Sequence, residues 1–130
     1  MTGIVLLSRD EFYADLDGGV SWGPESDKQW VRDFIKDKVV FVGYKTWETI
    51  QKYPLLLAHP RKWVIGEPTK ECEVHFGGMK TFKKYPPDRM IVHRTRTYLK
   101  KGLKYNCKCG WKLVSCKELT DYTEIIYVKK

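Results

Sequence analysis

Short apolar runs alternate with helical patterns over the first hundred residues of the chain. Runs of strand length occupy residues 3–8, 38–42, 61–65, 71–76 and 89–95. Several of them are apolar at nearly every position, which is typical of strands buried on both faces of a parallel sheet. Segments with helix signals separate the runs, so the order predicts strand–helix repeats.

The clearest helix signal lies at residues 24–37. Pro24 suits the first turn of a helix, and the acidic residues that follow it match the positive end of the helix dipole. Trp30, Val31 and Phe34 fall on one face at helical spacing and predict a buried stripe.

Two shorter helices and a hairpin complete the predicted elements. The helices are expected at residues 45–51 and from the Gly77-Gly78 pair to about residue 84, and the hairpin strands at residues 111–116 and 123–128. Residues 9–21 and 53–60 are expected to be loops. The predicted fold class is α/β, with a mainly parallel central sheet flanked by helices and a C-terminal antiparallel hairpin.

The size and composition fit a single folded domain. The chain has 130 residues, of which 42% are hydrophobic and 14% aromatic, so we expect one domain over residues 1–130. No apolar run reaches the roughly eighteen residues of a membrane span, and the N-terminus lacks the pattern of a secretion signal. A cytoplasmic protein is therefore expected.

The charge of the chain favours anionic ligands. There are 24 Lys and Arg residues against 16 Asp and Glu, which gives a net charge of +8. Basic clusters concentrate in residues 80–117, but no ribonucleoprotein signature or recognition-helix pattern accompanies them. A solvated basic face is sufficient to explain these clusters. A nucleic-acid-binding module remains an alternative that charge alone supports.

The four cysteines do not predict a metal site. Cys72, Cys107, Cys109 and Cys116 provide one C-x-C pair and two isolated thiols. Structural zinc sites usually need two C-x-x-C pairs, which bring four ligands around one ion. We expect reduced thiols and no bound metal.

Three candidate functional segments follow predicted strands, where ligands bind in open α/β sheets. Trp22 and Asp27 follow the first strand, residues 43–46 follow the second, and residues 77–79 follow the fourth. A glycine before a helix start can cradle a phosphate, because it removes a Cβ clash and exposes free N–H groups. Lys45 and Thr46 add a charge and a hydroxyl to one such turn.

Asp27 is the sharpest single candidate. Its spacing places it on the same helix face as Trp30 and Val31. A carboxylate on an apolar face is costly unless a ligand or partner pairs with it. The alternative is an ordinary aspartate that faces water at a helix start. Trp22, five residues earlier, could shield the carboxylate from solvent.

Several segments, in this order, together resemble dihydrofolate reductase. The matching segments are residues 4–8 (IVLLS) with 22–27 (WGPESD), 39–50 (VVFVGYKTWETI), 61–65 (RKWVI), 76–82 (FGGMKTF) and 88–94 (DRMIVHR). The resemblance covers residues 1–96, and beyond residue 97 it is only architectural. It implies NADPH-dependent reduction of 7,8-dihydrofolate to tetrahydrofolate by a monomer that antifolate inhibitors bind, with no membrane or nucleic-acid partner.

The resemblance also assigns roles to individual residues. Asp27 would bind the pterin and help to protonate it, Trp22 would close the site, and Arg61 would clamp the glutamate carboxylate of folate. The remaining substrate-binding residues would be Val5, Leu6, Leu7, Val31, Ile50 and Phe76. The cofactor-binding residues would be Leu7, Gly43, Lys45, Thr46, Gly77, Gly78, Met79, Lys80 and Phe82. Residues 9–21 would form a lid, and the Gly77–Gly78 bond is expected to be cis.

The chain also departs from the pattern of this family. Tyr44 replaces a basic residue, and the segment between residues 66 and 76 is short, which leaves the preference for NADPH over NADH open. Either His93 or Thr95 could support Asp27 in place of the usual threonine. Two further alternatives are a non-catalytic binding or assembly protein of this fold and a reductase of a related pterin or pyrimidine.

Overall fold

The computed structural model describes residues 1–14, 16, 22–76, 78–104 and 111–129. The described strands are β1 (Thr2–Leu7), β2 (Phe12–Ala14), β3 (Val39–Val42), β4 (Lys62–Ile65), β5 (Val74–His75), β6 (Arg89–Thr95), β7 (Leu103–Lys104), β8 (Trp111–Glu118) and β9 (Tyr122–Lys129). The described helices are α1 (Glu25–Ile35), α2 (Tyr44–Ile50), α3 (Pro54–Leu57) and α4 (Met79–Lys84).

Seven of these strands form one sheet in the order β4-β3-β5-β1-β6-β9-β8. The first five run parallel to one another, and β9 and β8 add an antiparallel edge. The predicted fold class is confirmed: a mainly parallel α/β sheet with a C-terminal antiparallel hairpin. The strands β2 and β7 form a separate antiparallel pair.

Alternation along the strands divides the core between the two faces of the sheet. On one face, Ile4, Val40 and Ile91 pack with the apolar stripe of α1. On the other face, Met90 and Val92 pack with further buried side chains, one of which comes from α4. Complete burial of such side chains stabilises the fold by about 2 kcal/mol each, so the central strands hold the layers together.

Several element boundaries differ from the sequence prediction. The helix predicted at residues 24–37 is shorter, because Pro24 is its extended N-cap and Asp37 adopts a positive φ of 59° just beyond its end. The strand predicted at 71–76 shrinks to β5, because residues 69–72 form a turn in which Cys72 N–H donates to the Thr69 carbonyl. The predicted loops contain β2 and α3, and both hairpin strands are longer than expected.

The described helices are all short. The longest of them, α1, has 11 residues, and none is long and apolar enough to cross a membrane.

Candidate functional site

A cavity of about 800 Å³ opens beside the sheet. Its floor comes from β1, β6 and the residue after β5, and its walls come from α1, from the segment α2–α3 and from the start of α4. The floor and the inner walls carry apolar side chains, among them Ile4, Val5, Leu6, Val31, Ile50, Phe76 and Ile91. Basic side chains also line the cavity: Lys28, Arg32, Lys45, Lys52, Lys80 and Lys104. An apolar cavity with a cationic lining suits a ligand that combines apolar and anionic groups.

Asp27 lies in the first turn of α1 and points toward the sheet. It is 3% exposed and lines the cavity, so the alternative of an aspartate that faces water is wrong. Its Oδ1 atom lies 2.5 Å from Nδ1 of His93 on β6. A buried carboxylate therefore has a buried ring nitrogen as its partner.

His93 joins Asp27 to a second carboxylate. Its Nε2 atom lies 2.9 Å from Oε2 of Glu124 on β9. The antiparallel register places His93 directly opposite Glu124, so both side chains project from the same face of the sheet. The imidazole is held between Trp30, at 4.3 Å, and the stacked ring of Tyr122, at 4.2 Å. The three ionisable groups form a linear chain, which we call the Asp–His–Glu chain.

The Tyr122 hydroxyl lies close to the charged groups of the Asp–His–Glu chain. Burial raises the pKa of the Tyr122 hydroxyl, and the negative charges of Asp27 and Glu124 raise it further. Thr95, the other residue left open as a support for Asp27, is buried and accepts a hydrogen bond from the Thr97 N–H group at 3.3 Å. The hydrogen bond to Asp27 thus comes from His93.

Sequence reasoning missed Glu124. It lies within a predicted strand, but no pattern along the chain indicates which residue stands opposite His93. That information resides in the register between β6 and β9, which is set by contacts over a separation of 31 residues.

The predicted cofactor residues on α2 and α4 come together at one wall. Lys45, Thr46, Met79 and Lys80 all line the cavity. A Cβ built on Gly78, which also lines it, would lie 3.5 Å from Thr46 Oγ1, so the starts of the two helices are in contact. Gly77 lies outside the described residues, and so does the expected cis bond before Gly78.

Five predicted site residues do not line the cavity. Leu7 and Phe82 are buried in the core of the opposite sheet face, because strand alternation turns Leu7 away. Gly43 is buried beneath Thr81, Trp22 is partly buried beside α1, and Arg61 is exposed just before β4.

Tyr44 occupies the position where the resemblance expects a basic residue. Its side chain is 72% exposed, and its ring lies against Gly66, where a built Cβ would approach the Tyr44 hydroxyl to 2.5 Å. Gly66 has a φ of +90°, which favours glycine in this turn after β4. The aromatic ring thus packs on the turn and adds no positive charge there.

Comparisons with known proteins support the assignment of the fold. No family model matches the chain, and no curated protein matches it. A dihydrofolate reductase from Enterococcus faecalis in complex with NADP(H) superposes with a TM-score of 0.74 at 13% identity, covering 99% of this chain and 95% of that chain. A protein assigned to riboflavin biosynthesis from Shewanella sp. PV-4 superposes with a TM-score of 0.69 at 12% identity, covering 99% and 98%. The chain has the dihydrofolate reductase-like fold.

Proposed function

We propose that the chain is a reductase that transfers a hydride from NADPH to 7,8-dihydrofolate and forms tetrahydrofolate. The main support for this proposal is that Asp27, at 3% exposure, lines a largely apolar cavity. A buried carboxylate in an apolar slot can hold the N–H donors of a flat heterocycle and pass a proton to it. Each carboxylate oxygen accepts more than one hydrogen bond, so these donors would share Asp27 with His93.

The apolar lining gives the heterocycle a slot. Val5 and Leu6 on β1, Val31 on α1, Ile50 at the end of α2 and Phe76 after β5 line the same cavity as Asp27. In the proposed complex they contact the pterin and its benzoyl group. Leu7 would act from beneath, through the packing of β1.

The wall formed by α2 and α4 fits an anionic dinucleotide. Lys45 and Lys80 line the cavity there with the hydroxyl of Thr46, and Gly78 leaves room for a close approach. Lysine is suited to phosphate as a flexible point charge. When bound, NADPH supplies the hydride, and the protein supplies its position and the surrounding charge. Gly43 and Phe82 would support this wall from the core.

Two groups of this chain have roles in the proposed reaction beyond binding. Asp27 orients the heterocycle and delivers the proton to the ring nitrogen beside the carbon that is reduced. The resemblance assigns the exclusion of water to Trp22 and residues 9–21; Tyr13, Ala14 and Leu16 of this segment line the cavity, and residues 15 and 17–21 lie outside the described residues. Exclusion of water strengthens the interaction of Asp27 with a protonated ring.

The proposal is tested by following NADPH absorbance with dihydrofolate. Asp27→Asn should lower kcat by about 100-fold or more, because the amide keeps the shape and loses the proton-carrying oxygen. Asp33→Asn is the matched control, since Asp33 lies exposed on the same helix and accepts a hydrogen bond from Gln29. Both variants should keep the native circular dichroism spectrum. A native chain that does not oxidise NADPH with dihydrofolate contradicts the proposal.

A second candidate is reduction of a related pterin or pyrimidine that lacks the glutamate tail. One observation favours it: Arg61, the expected clamp for that tail, is exposed and does not line the cavity. The neighbour assigned to riboflavin biosynthesis shares the fold. If the first candidate holds, Arg61→Ala weakens dihydrofolate binding much more than NADPH binding. Equal changes for the two ligands favour the second candidate.

The non-catalytic alternative is decided by the same assay. A binding or assembly protein of this fold would leave NADPH unoxidised with both kinds of substrate. Calorimetry with an antifolate inhibitor then adds a second measurement, because the proposed pterin slot predicts binding and the assembly alternative predicts none.

A further inference from the structure

The Asp–His–Glu chain extends from the cavity toward the solvent-accessible side of the hairpin. The side chains of Asp27 and His93 are 5% and 2% exposed, whereas the side chain of Glu124 is 22% exposed. Asp27 and His93 line the cavity and Glu124 does not. One end of the chain is thus placed toward a bound ligand and the other toward water.

The surroundings of His93 leave the two carboxylates as its ionisable partners among the described residues. Asp27 faces it from α1, and Glu124 and the Tyr122 ring face it from β9. Trp30 covers the remaining ring contact from α1. Lys117 on β8 stands opposite Glu124 in the sheet register. Both ring nitrogens are therefore engaged, and each has an acid as its neighbour.

We propose that Asp27, His93 and Glu124 form a proton relay that returns a proton to Asp27 from the β9 side of the sheet. The inference rests on the proposed reductase only for the identity of the reaction that consumes the proton. His93 and Glu124 are positioning residues, because they act through Asp27 and not on the substrate.

The proton count balances at every step. With three protons among the three groups, Asp27 carries the first, Nδ1 of His93 donates the second to Asp27 Oδ1, and the Glu124 carboxyl donates the third to Nε2 of His93. After Asp27 gives a proton to the substrate, the Nδ1 proton of His93 moves to Asp27 Oδ1. The carboxyl proton of Glu124 moves to Nε2, and water then reprotonates Glu124. At no step does one of the three groups become a buried charge without a hydrogen-bond partner, which would be energetically costly.

A relay is useful here because Asp27 is cut off from bulk water when a ligand fills the cavity. At 3% exposure, the carboxylate depends on a neighbouring group for its next proton. His93 is in contact with it at 2.5 Å, so no side chain has to move.

The first test uses the free protein and needs no activity. The ring-nitrogen signals of His93 are followed by NMR at neutral pH, with assignment from His93→Gln. In Glu124→Gln the Nε2 signal should move and in Asp27→Asn the Nδ1 signal should move, because each variant removes the carboxyl group that shares a proton with that nitrogen. Glu118→Gln is the matched control, since Glu118 lies on the same hairpin and binds Arg96 and Thr123. An unchanged Nε2 signal in Glu124→Gln overturns the relay.

The second test is the pH dependence of turnover. In Glu124→Gln, kcat should fall about tenfold at the alkaline end and KM should stay within about twofold, because Glu124 does not touch the ligand. Glu124→Asp should restore part of the rate, which a merely structural role would not predict. Equal pH profiles for the native chain and Glu124→Gln overturn the relay. Absence of NADPH oxidation by the native chain overturns the reductase instead, and the NMR signals of the His93 ring then decide the relay alone.

Discussion

Two regions of one sheet hold a buried histidine each, and their surroundings differ completely. His93 on β6 and His75 on β5 are 2% and 0% exposed, with β1 between their strands. His93 is bound by two carboxylates. His75 lies between the rings of Phe41, at 4.7 Å, and Phe82, at 4.4 Å. Within the described part of the chain, neither of its ring nitrogens has a hydrogen-bond partner.

Burial alone therefore does not create a proton-transfer group. Around His75, burial lowers the pKa to about 4, because the apolar surroundings disfavour the imidazolium. His75 is then neutral at physiological pH and serves as a packed ring. His93 is equally buried, but its two carboxylates compensate a positive charge. The neighbouring acids, and not the depth in the core, distinguish the region that lines the cavity.

Replacing His93 by phenylalanine should have the largest effect on stability. The variant His93→Phe keeps an aromatic ring and leaves two carboxylates without their donor. We expect the free energy of unfolding to fall by about 4 kcal/mol at neutral pH. Urea denaturation measures the change, and a loss below about 1 kcal/mol would contradict the described bonding of His93.

The stability of the native protein should depend on pH through His75. Its pKa is lowered from 6.5 to about 4 on folding, so the unfolded chain binds more protons between these two values. The free energy of unfolding should therefore decrease as pH falls from 6.5 to about 4, by about 3 kcal/mol from this residue. Urea denaturation at several pH values measures the slope. Subtracting the slope of His75→Phe isolates this contribution, and identical slopes would contradict the assignment.

The same substitution at the other histidine should act in the opposite direction. His75→Phe removes two nitrogens that lack partners and keeps the contacts with Phe41 and Phe82. We expect the protein to gain about 1 kcal/mol at neutral pH. A loss as large as that expected for His93→Phe would mean that the two regions are alike.

A partly exposed acid, Asp10, provides the smallest expected effect. The hydroxyl of Ser8 and the N–H groups of Leu99 and Lys100 donate to Asp10, and the Ser8 bond is the main cause that lowers its pKa to about 2. Because the lowered pKa favours the charged form in the folded state, this stabilisation is present above pH 3.8 and is lost as pH falls toward 2. In Asp10→Asn, limited proteolysis near Leu99 should be slightly faster at neutral pH and less sensitive to acid. A rate of cleavage identical to that of the native chain would contradict the anchoring role.

The sequence was informative about local order and less so about distant pairing. The predicted bounds of β6 are confirmed, because two prolines at 86 and 87 separate it from the preceding helix and the apolar residues 90–92 form its centre. The prediction for β5 was too long, since a turn around Cys72 takes up half of that segment. The position of Asp27 on an apolar stripe predicted a paired carboxylate. The partner, His93, comes from a strand 66 residues away, and its link to Glu124 depends on a register that periodicity does not encode.

Gly43 has a mechanical consequence for the cavity. A Cβ at this position would lie 2.6 Å from Thr81 Oγ1, so α4 already rests against the backbone that precedes α2. The helices α2 and α4 cannot move closer without a steric collision, so the cavity wall that they share is rigid. Any narrowing of the cavity around a bound ligand must then come from the opposite wall, where α1 carries Asp27.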